Sequence, residues 1–484
     1  MLTAVFILIF SVFADPGLAR DIHVAKTGSN STLGDSDNPY ETIKYGVAQS
    51  LEGDVIRVHA GIYEESWIEP KAGTRLVSDD GVHAAKIYSG EQSAIRLTNN
   101  NSGIDGFEIY GDWNQGVPGD GLVRLLDASH LWVKNCKIHD APHDCDVIKI
   151  GASDVLIENC IIYSAGRRTD GNFQEVVDIY GKSDPDGVTV RGCWIYHTPE
   201  QGGDYLIYAK GGARNILWEN NVFGPAQGSG FGNVSTGCGA ASPPVFPSCE
   251  NFIARNNIFV NCAGDGAFGF TSAKNAYLYN NVFYNYTGGR AFIQFYTTQS
   301  PGGTDRNEDC YVFNNIFMES NGMPVYQDRG RWSGGAYTYI PENFQSDNNL
   351  YYQVKTAYPA NDINILEEAN SIFADPKMMA PSSPSPAIDN WSAIVANFLL
   401  QPDSPAMDAG CDLSLGAPFH VPFDILDTDR PADGFFDMGI HELAKNNVDL
   451  DFDGDVDGED LAWLINAAGL TDDYIRAVAA RFGN

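Results

Sequence analysis

Three lysines, Lys149, Lys182 and Lys210, precede a recurring Asn-Asn or Asn-Cys motif at one constant offset. That offset predicts like charges on adjacent rungs of a repeat structure, in a chain with 30 Lys+Arg against 63 Asp+Glu. Stacked ammonium groups repel unless carboxylates or a bound anion compensate them. Carboxylates lie just upstream: Asp144 and Asp146 in one repeat, Glu175 and Asp178 in the next, and Asp204 in the third. Side-chain alternation puts Tyr180 and Tyr208 on the face of Lys182 and Lys210, with Ile148 and Ala209 facing inward. Lysines beside acids and tyrosines suit an acidic sugar, and Tyr180, Trp194, Tyr205 and Tyr208 are candidates for stacking on sugar rings. The competing reading is a set of surface lysines neutralised by neighbouring acids, since ion-pair networks imitate sites.

A second cluster is sharper. Residues 449–460 read DLDFDGDVDGED, which places Asp449, Asp451, Asp453, the Asp455 carbonyl, Asp457 and Asp460 at the ligand positions of a calcium loop. Gly454 takes the tight-turn position, Val456 the apolar one, and LAWLINAA continues as a predicted helix. Hard oxygen ligands at this spacing select Ca²⁺.

The elements that must position the lysines follow from the motif. It recurs as NCKI at Asn135, NCII at Asn159, GCWI at Gly192 and NNVF at Asn220, then at Asn256, Asn280, Asn314 and Asn348. Intervals of roughly 24–36 residues signal a solenoid. Each copy follows a short alternating apolar run such as ILWEN, which reads as a strand, and no long helical period intervenes. The predicted fold is all-β, a right-handed parallel β-helix.

In such a stack equivalent residues lie about 4.8 Å apart, so columns can be read from the sequence. Ile138, Ile162, Ile195, Phe223, Phe259, Phe283, Phe317 and Tyr351 form a predicted inward ladder. The first-position asparagines, Asn159 and Asn220 through Asn348, are predicted turn residues bonding from coil to coil. Lys134, Glu158, Arg191, Glu219 and Arg255 alternate in sign, as an outward ion-pair ladder would. Cys136, Cys160 and Cys193 share a column and read as small buried side chains; Cys238 and Cys249 are the expected pair for a bridge.

The formal charge of −33 argues against nucleic acid as a partner. Leu2–Phe13 form a short apolar run suited to a signal peptide, residues 1–19, and no later run is long and apolar enough to span a bilayer. The expected location is secreted or cell-surface.

Residues 21–65 resemble the opening of secreted pectate-lyase-like β-helix proteins. The matching pieces are Asn38-Pro39-Tyr40, Thr42-Ile43, a short capping helix, Gly53-Asp54 and Gly61-Ile62-Tyr63. With the coils, the resemblance covers about residues 21–355, and the expected β-helix spans residues 20–355. That superfamily includes polysaccharide lyases, uronan C5-epimerases, glycoside hydrolases and non-catalytic carbohydrate-binding or surface proteins, so the fold alone does not assign the reaction. The segment YAKGGARNILWENNVF looks like the strand that carries the lysine base in chondroitinase-B and alginate-lyase families, which implies Lys210 as base. Where those enzymes place an arginine on the next coil, the aligned position here is Phe246. Another lyase family of this fold pairs a lysine base with an aspartate-bound Ca²⁺. That implies a second metal site among Asp144, Asp146, Glu175, Asp178 and Asp204. His139 to Asp144 resembles the Asp-Pro-His motif of alginate epimerases, interrupted by Ala141, and reads more simply as a turn carrying His143. The ordered polygalacturonase motifs are not present, which disfavours hydrolysis.

The implied chemistry is β-elimination on a uronic-acid polymer. Lys210 would take the C5 proton, its pKa lowered by Lys149 and Lys182, and Tyr208 or His143 would protonate the leaving oxygen. The alternatives are a C5-epimerase or a non-catalytic glycan binder. After the coils, SPAMDAG (404–410) and DTDRPADGFFDMGIHE (427–442) resemble the terminal portion of secreted β-helix proteins, an expected cover for the open end over residues 356–445. Residues 446–484, with Asp at the last ligand position, resemble a dockerin or EF-hand module with one loop. It is a candidate for docking to a cohesin-like or cell-surface partner.

Overall fold

The computed structural model describes residues 19–443 apart from 113–119, 167–173, 181–183, 199–204, 227–233, 240–246, 297–305, 329–339, 357–362, 386–389, 414–420 and 433. The expected signal peptide (but for Ala19), Lys182, Asp204, Phe246 and the calcium loop at 449–460 lie outside the described residues.

Among the described residues every strand-to-strand ladder is parallel, and the strands gather into one 19-stranded and one 12-stranded sheet. A coil such as the fourth motif's runs Ile207–Ala209, then Ala213–Glu219, then a turn at Asn220, then Val222–Phe223. The first two strands join the larger sheet and the third joins the smaller. At the N-terminal end the helix Ile43–Gln49 packs Ile43 and Val47 onto the first coil, with Thr42 accepting a hydrogen bond from the Tyr45 amide.

The predicted inward ladder is present. Ile138, Ile162, Ile195, Phe223, Phe259, Phe283, Phe317 and Tyr351 are buried in mutual register. Phe259, Phe283 and Phe317 stack with centroids 4.4 and 4.7 Å apart. The alternating-sign column also forms, with Lys134–Glu158 at 2.8 Å, Arg191–Glu219 at 3.2 Å and Arg255–Glu219 at 2.6 Å.

The expected coil-to-coil bond between first-position asparagines forms from Asn159 Nδ2 to Asn135 Oδ1 at 3.5 Å, while in the later coils the two asparagines of the motif divide the work. The first position adopts positive φ, between 51° and 57° from Asn135 to Asn348, with Gly192 at 62° standing in for it. The second position is the coil-to-coil ladder: Asn221, Asn257, Asn281, Asn315 and Asn349 are fully buried, and each of the first four donates through Nδ2 to the next Oδ1 at 3.0–3.1 Å. The Cys136, Cys160 and Cys193 column continues directly into it, for the Cys193 amide donates to Asn221 Oδ1 at 3.0 Å. Cys238 and Cys249 are separate buried thiols, not a bridge.

Of the expected cover over 356–445, Ile365 and the strand Ile372–Phe373 sit on the last coil, the strand pairing with Leu350–Tyr351 and Glu368 accepting from the Tyr351 hydroxyl. The described residues from Met378 to Leu443 lie instead along the flank, over the outward faces of Trp194, Val222, Ile258, Val282, Ile316 and Leu350. The first-position asparagines bind it: Asn256 Nδ2 donates to Phe423 O, Asn280 Nδ2 to Asp437 O, Asn314 Nδ2 to Cys411 O and Asn348 Nδ2 to Ala409 O. Their amides are free for this because coil-to-coil bonding falls to the second position. Buried Arg430 organises the segment by donating to Glu442 at 2.7 Å and to the Asp437 and Gly439 carbonyls.

Candidate functional site

Parallel register corrects the lysine column. Lys149 stands opposite Asp178, and Asp178 opposite Tyr208. Lys210 follows Ala209, whose partner is Ile179, so its own rung-mate is Tyr180. The constant offset failed because Lys149, Asp178 and Tyr208 stand at different distances ahead of Cys160, Cys193 and Asn221.

The side chains nevertheless meet. Ile148, Ile179 and Ala209 point into the core, so their neighbours Lys149, Asp178 and Lys210 point outward from three successive coils. Lys149 Nζ lies 2.8 Å from Asp146 and 3.4 Å from Asp178; Lys210 Nζ lies 2.5 Å from Glu175 and 3.0 Å from Asp178. Asp146 Oδ1 also accepts from the Glu175 amide at 3.1 Å. Asp178 thus sits between the two ammonium groups. Lys149 Nζ rests 4.6 Å from the centroid of the Tyr180 ring.

The lysines keep 16% and 23% side-chain exposure, while Asp146 and Asp178 keep 0% and 2%. The site is therefore a floor of buried carboxylates beneath two partly accessible ammonium groups. Burial favours the neutral form of Lys210, but Asp178 and Glu175 outweigh it and hold the amine well above the ordinary lysine range. Burial likewise opposes the charge of Lys149, and Asp146 and Asp178 override it. This reverses the sequence expectation of a lowered lysine pKa. Counting lysines alone omitted the acids interleaved between them.

Burial drives Glu175 up, yet Lys210 brings it below the usual carboxylate range. Asp178 is raised by burial in spite of Lys210, and Asp146 is raised well above normal by burial and then by Asp178 and Glu175. Among the described side chains three carboxylates face Lys149 and Lys210, with Arg124 on the rung before Lys149, and Asp146 is the acid driven furthest toward its neutral form.

Asp146, Glu175 and Asp178 each offer an oxygen within 4.8 Å of the others, the geometry a cation needs. Asp178 Oδ1 is buried and meets Lys210 off the axis of a proper hydrogen bond. Three hard oxygen donors at this spacing fit Ca²⁺. Asp144 of the expected set is instead 3.8 Å from His143.

The other predicted residues separate. The Tyr208 hydroxyl is buried and bonded to Thr271 Oγ1 at 2.9 Å, and burial pushes its pKa up, so it is no proton donor to solvent-borne substrate. Its ring lies over Gly237, where an added Cβ would come within 2.7 Å of it. Tyr205 is half-buried with its ring 4.3 Å from that of Tyr208. Trp194 is fully buried beneath the flanking segment, its indole donating to Gly224 O at 2.8 Å, which removes it from any sugar-stacking role. His143 keeps 21% side-chain exposure in the turn before the strand Cys145–Glu158.

A family described as a right handed beta helix region matches residues 77–223 and 120–301 of this chain. No curated protein matches significantly. Among solved structures, the pectate lyase Pel9A is 15% identical, with 88% of this chain and 97% of that one covered at a TM-score of 0.49. XylC in complex with xylose is 11% identical, with 88% and 98% covered at 0.49. A rhamnogalacturonan lyase is 17% identical, with 68% and 87% covered at 0.48.

Proposed function

We propose that this chain is a secreted polysaccharide lyase that cleaves a uronic-acid-containing polymer by β-elimination at the Asp146, Lys149, Glu175, Asp178, Lys210 cluster. One observation carries the reading: two partly exposed ammonium groups and three carboxylates from successive coils meet on one wall, with the three carboxylates at a spacing that could hold a cation.

Asp146, Glu175 and Asp178 would hold Ca²⁺, which when bound supplies positive charge to neutralise a substrate carboxylate and so acidify the adjacent C5 proton. Lys149, steadied over Tyr180, binds and orients the uronate. Lys210 takes the C5 proton, which requires its own proton to leave first, so its bonds to Glu175 and Asp178 must be given up in the productive complex. With Tyr208 engaged elsewhere, His143 is the proton donor to the leaving 4-oxygen. Residues 1–19 direct export, and 446–484 form a Ca²⁺-binding module that attaches the enzyme to a cohesin-like or cell-surface partner.

The protonated state of Lys210 favours a second reading, a non-catalytic binder of anionic glycan. The two part on one experiment. Incubation with alginate, pectate and glycosaminoglycans, with Ca²⁺ or with chelator, is followed by the ultraviolet absorbance of unsaturated uronate. The lyase reading expects product from one polymer and a loss of roughly 10²–10⁴-fold in Lys210→Ala. Polymer binding without product, or product undiminished in Lys210→Ala, ends the assignment.

A further inference from the structure

Far from this wall, the first three coils bring two imidazoles and a carboxylate together. His23 lies on the strand Asp21–Val24; His59 follows the strand Val55–Val58; Asp79 follows Arg75–Ser78. The three strands pair in register, and the His59 and Asp79 amides extend the ladder by donating to the Val24 and Val58 carbonyls. We propose that His23 Nδ1, His59 Nε2 and a carboxylate oxygen of Asp79 form a binding site for a borderline divalent cation of the Zn²⁺ class.

The donor atoms of the three residues lie within 4.8 Å of one another, and the two ring nitrogens are 3.1 Å apart. Tetrahedral bonds of 2.0–2.1 Å would separate two nitrogens by about 3.3 Å, so the spacing of the nitrogens already fits, and the near-parallel rings, with 21° between their planes, would turn to aim both lone pairs at the ion. The remaining nitrogen of His59 is held as well. Nδ1 lies 3.1 Å from Asp80 Oδ1, and Asp80 is itself fixed by the Ala60 amide at 2.8 Å. A carboxylate can only accept here, so Nδ1 carries the proton and Nε2 presents its lone pair toward His23. This carboxylate–imidazole relay is the arrangement that orients a metal-binding histidine.

Two imidazoles and one carboxylate suit Zn²⁺, Ni²⁺ or Cu²⁺ better than Ca²⁺, which separates this site from the oxygen-only cluster. Three protein ligands leave the fourth position to water. All three residues are half-buried, so water and ions reach the site. Arg57 holds Asp79 Oδ1 at 2.9 Å while its Nε reaches Asp21 at 3.0 Å, which leaves the second oxygen of Asp79 for the metal. The ion would tie three coils together at the N-terminal end. A proton shared between the rings satisfies the same two nitrogens, so experiment must separate proton from metal.

The full chain, kept in excess Ca²⁺ to saturate oxygen-only sites, is titrated with Zn²⁺ by calorimetry and with Co²⁺ by visible absorption. One equivalent should bind, with the intense absorption of four-coordinate Co²⁺. His23→Ala and His59→Gln should each abolish that equivalent, and Asp80→Asn should weaken it by about 10–100-fold. Circular dichroism confirms that each variant is folded, and Zn²⁺ should raise the melting temperature of the parent but not of His23→Ala. Weak multiple binding without the spectrum, or one equivalent that persists in both histidine variants, overturns the proposal. None of these readouts involves a glycan, so the outcome is independent of the lyase assignment.

Discussion

Lys210→Met removes an ammonium group from between Glu175 and Asp178 while keeping most of the apolar stem. Taking one partner from a buried ion pair costs about 3–5 kcal/mol, because the charge left behind has lost its compensation. Lys210 is 23% exposed and water will enter the gap, so about 2–3 kcal/mol is expected at neutral pH. The pH dependence is more diagnostic than the size. Glu175 is held below its ordinary 4.5 by Lys210, so in the parent its contribution is present above that value and lost as pH falls through the depressed one. In the variant, burial dominates and pushes Glu175 up, so it protonates earlier and the penalty fades on acidification. Lys210 itself is raised above 10.5, so its contribution is complete below that value and is lost only as pH rises through the higher folded one. The gap between parent and variant should therefore stay flat between about pH 7 and 9 and close below about pH 5. Urea denaturation followed by tryptophan fluorescence across this range reads it directly. The variant, with one cation fewer beside the three carboxylates, should also gain more stability from added Ca²⁺ than the parent. Coincident midpoints at neutral pH, or a gap that widens in acid, would refute the charge balance described for this wall.

Three further outcomes are expected. Asn281→Ala removes four side-chain hydrogen bonds in the fully buried ladder, to Asn257 N and Nδ2, Ala254 O and Asn315 Oδ1, and should cost about 2–4 kcal/mol by thermal or urea unfolding. Arg430→Met strands the buried Glu442 carboxylate and should cost about 3–5 kcal/mol locally, read as faster proteolytic release of the flanking segment. Tyr208→Phe loses only the bond to Thr271, about 1 kcal/mol, and should leave turnover of any cleaved polymer within about tenfold of the parent; a larger fall restores Tyr208 as an acid.

The sequence was most informative where chemistry repeats once per coil. The aromatic ladder and the alternating ion pairs were legible because burial and charge compensation impose the same demand on every rung at a fixed distance from the turn. The lysines were misaligned because the path from their strand to the turn changes length between coils, which an anchor at the turn does not register. Their meeting with Asp146, Glu175 and Asp178 was legible as composition, but the sign of the pKa shift was not. That sign depends on which side chains interleave in space. The doubled asparagine looked like one ladder; only the contacts distinguish a buried amide column from a turn column reserved for the flanking segment. Nothing in the spacing of His23, His59 and Asp79 marked them, since each comes from a different coil and no motif joins them.

The flanking segment reaches the same turn position on four consecutive coils, from Asn256 to Asn348, and Trp391 adds the Asn220 carbonyl of the coil before. Its carbonyls act as a gauge cut to the pitch of the stack. An inserted or deleted coil would slide every later turn off its mark, so the number of coils here is locked by a part of the chain outside the repeat. A free solenoid can fray from its last rung, each neighbour failing in turn. This one must shed its splint first, and mechanical or chemical stress on the C-terminal coils should be met by a single abrupt yield.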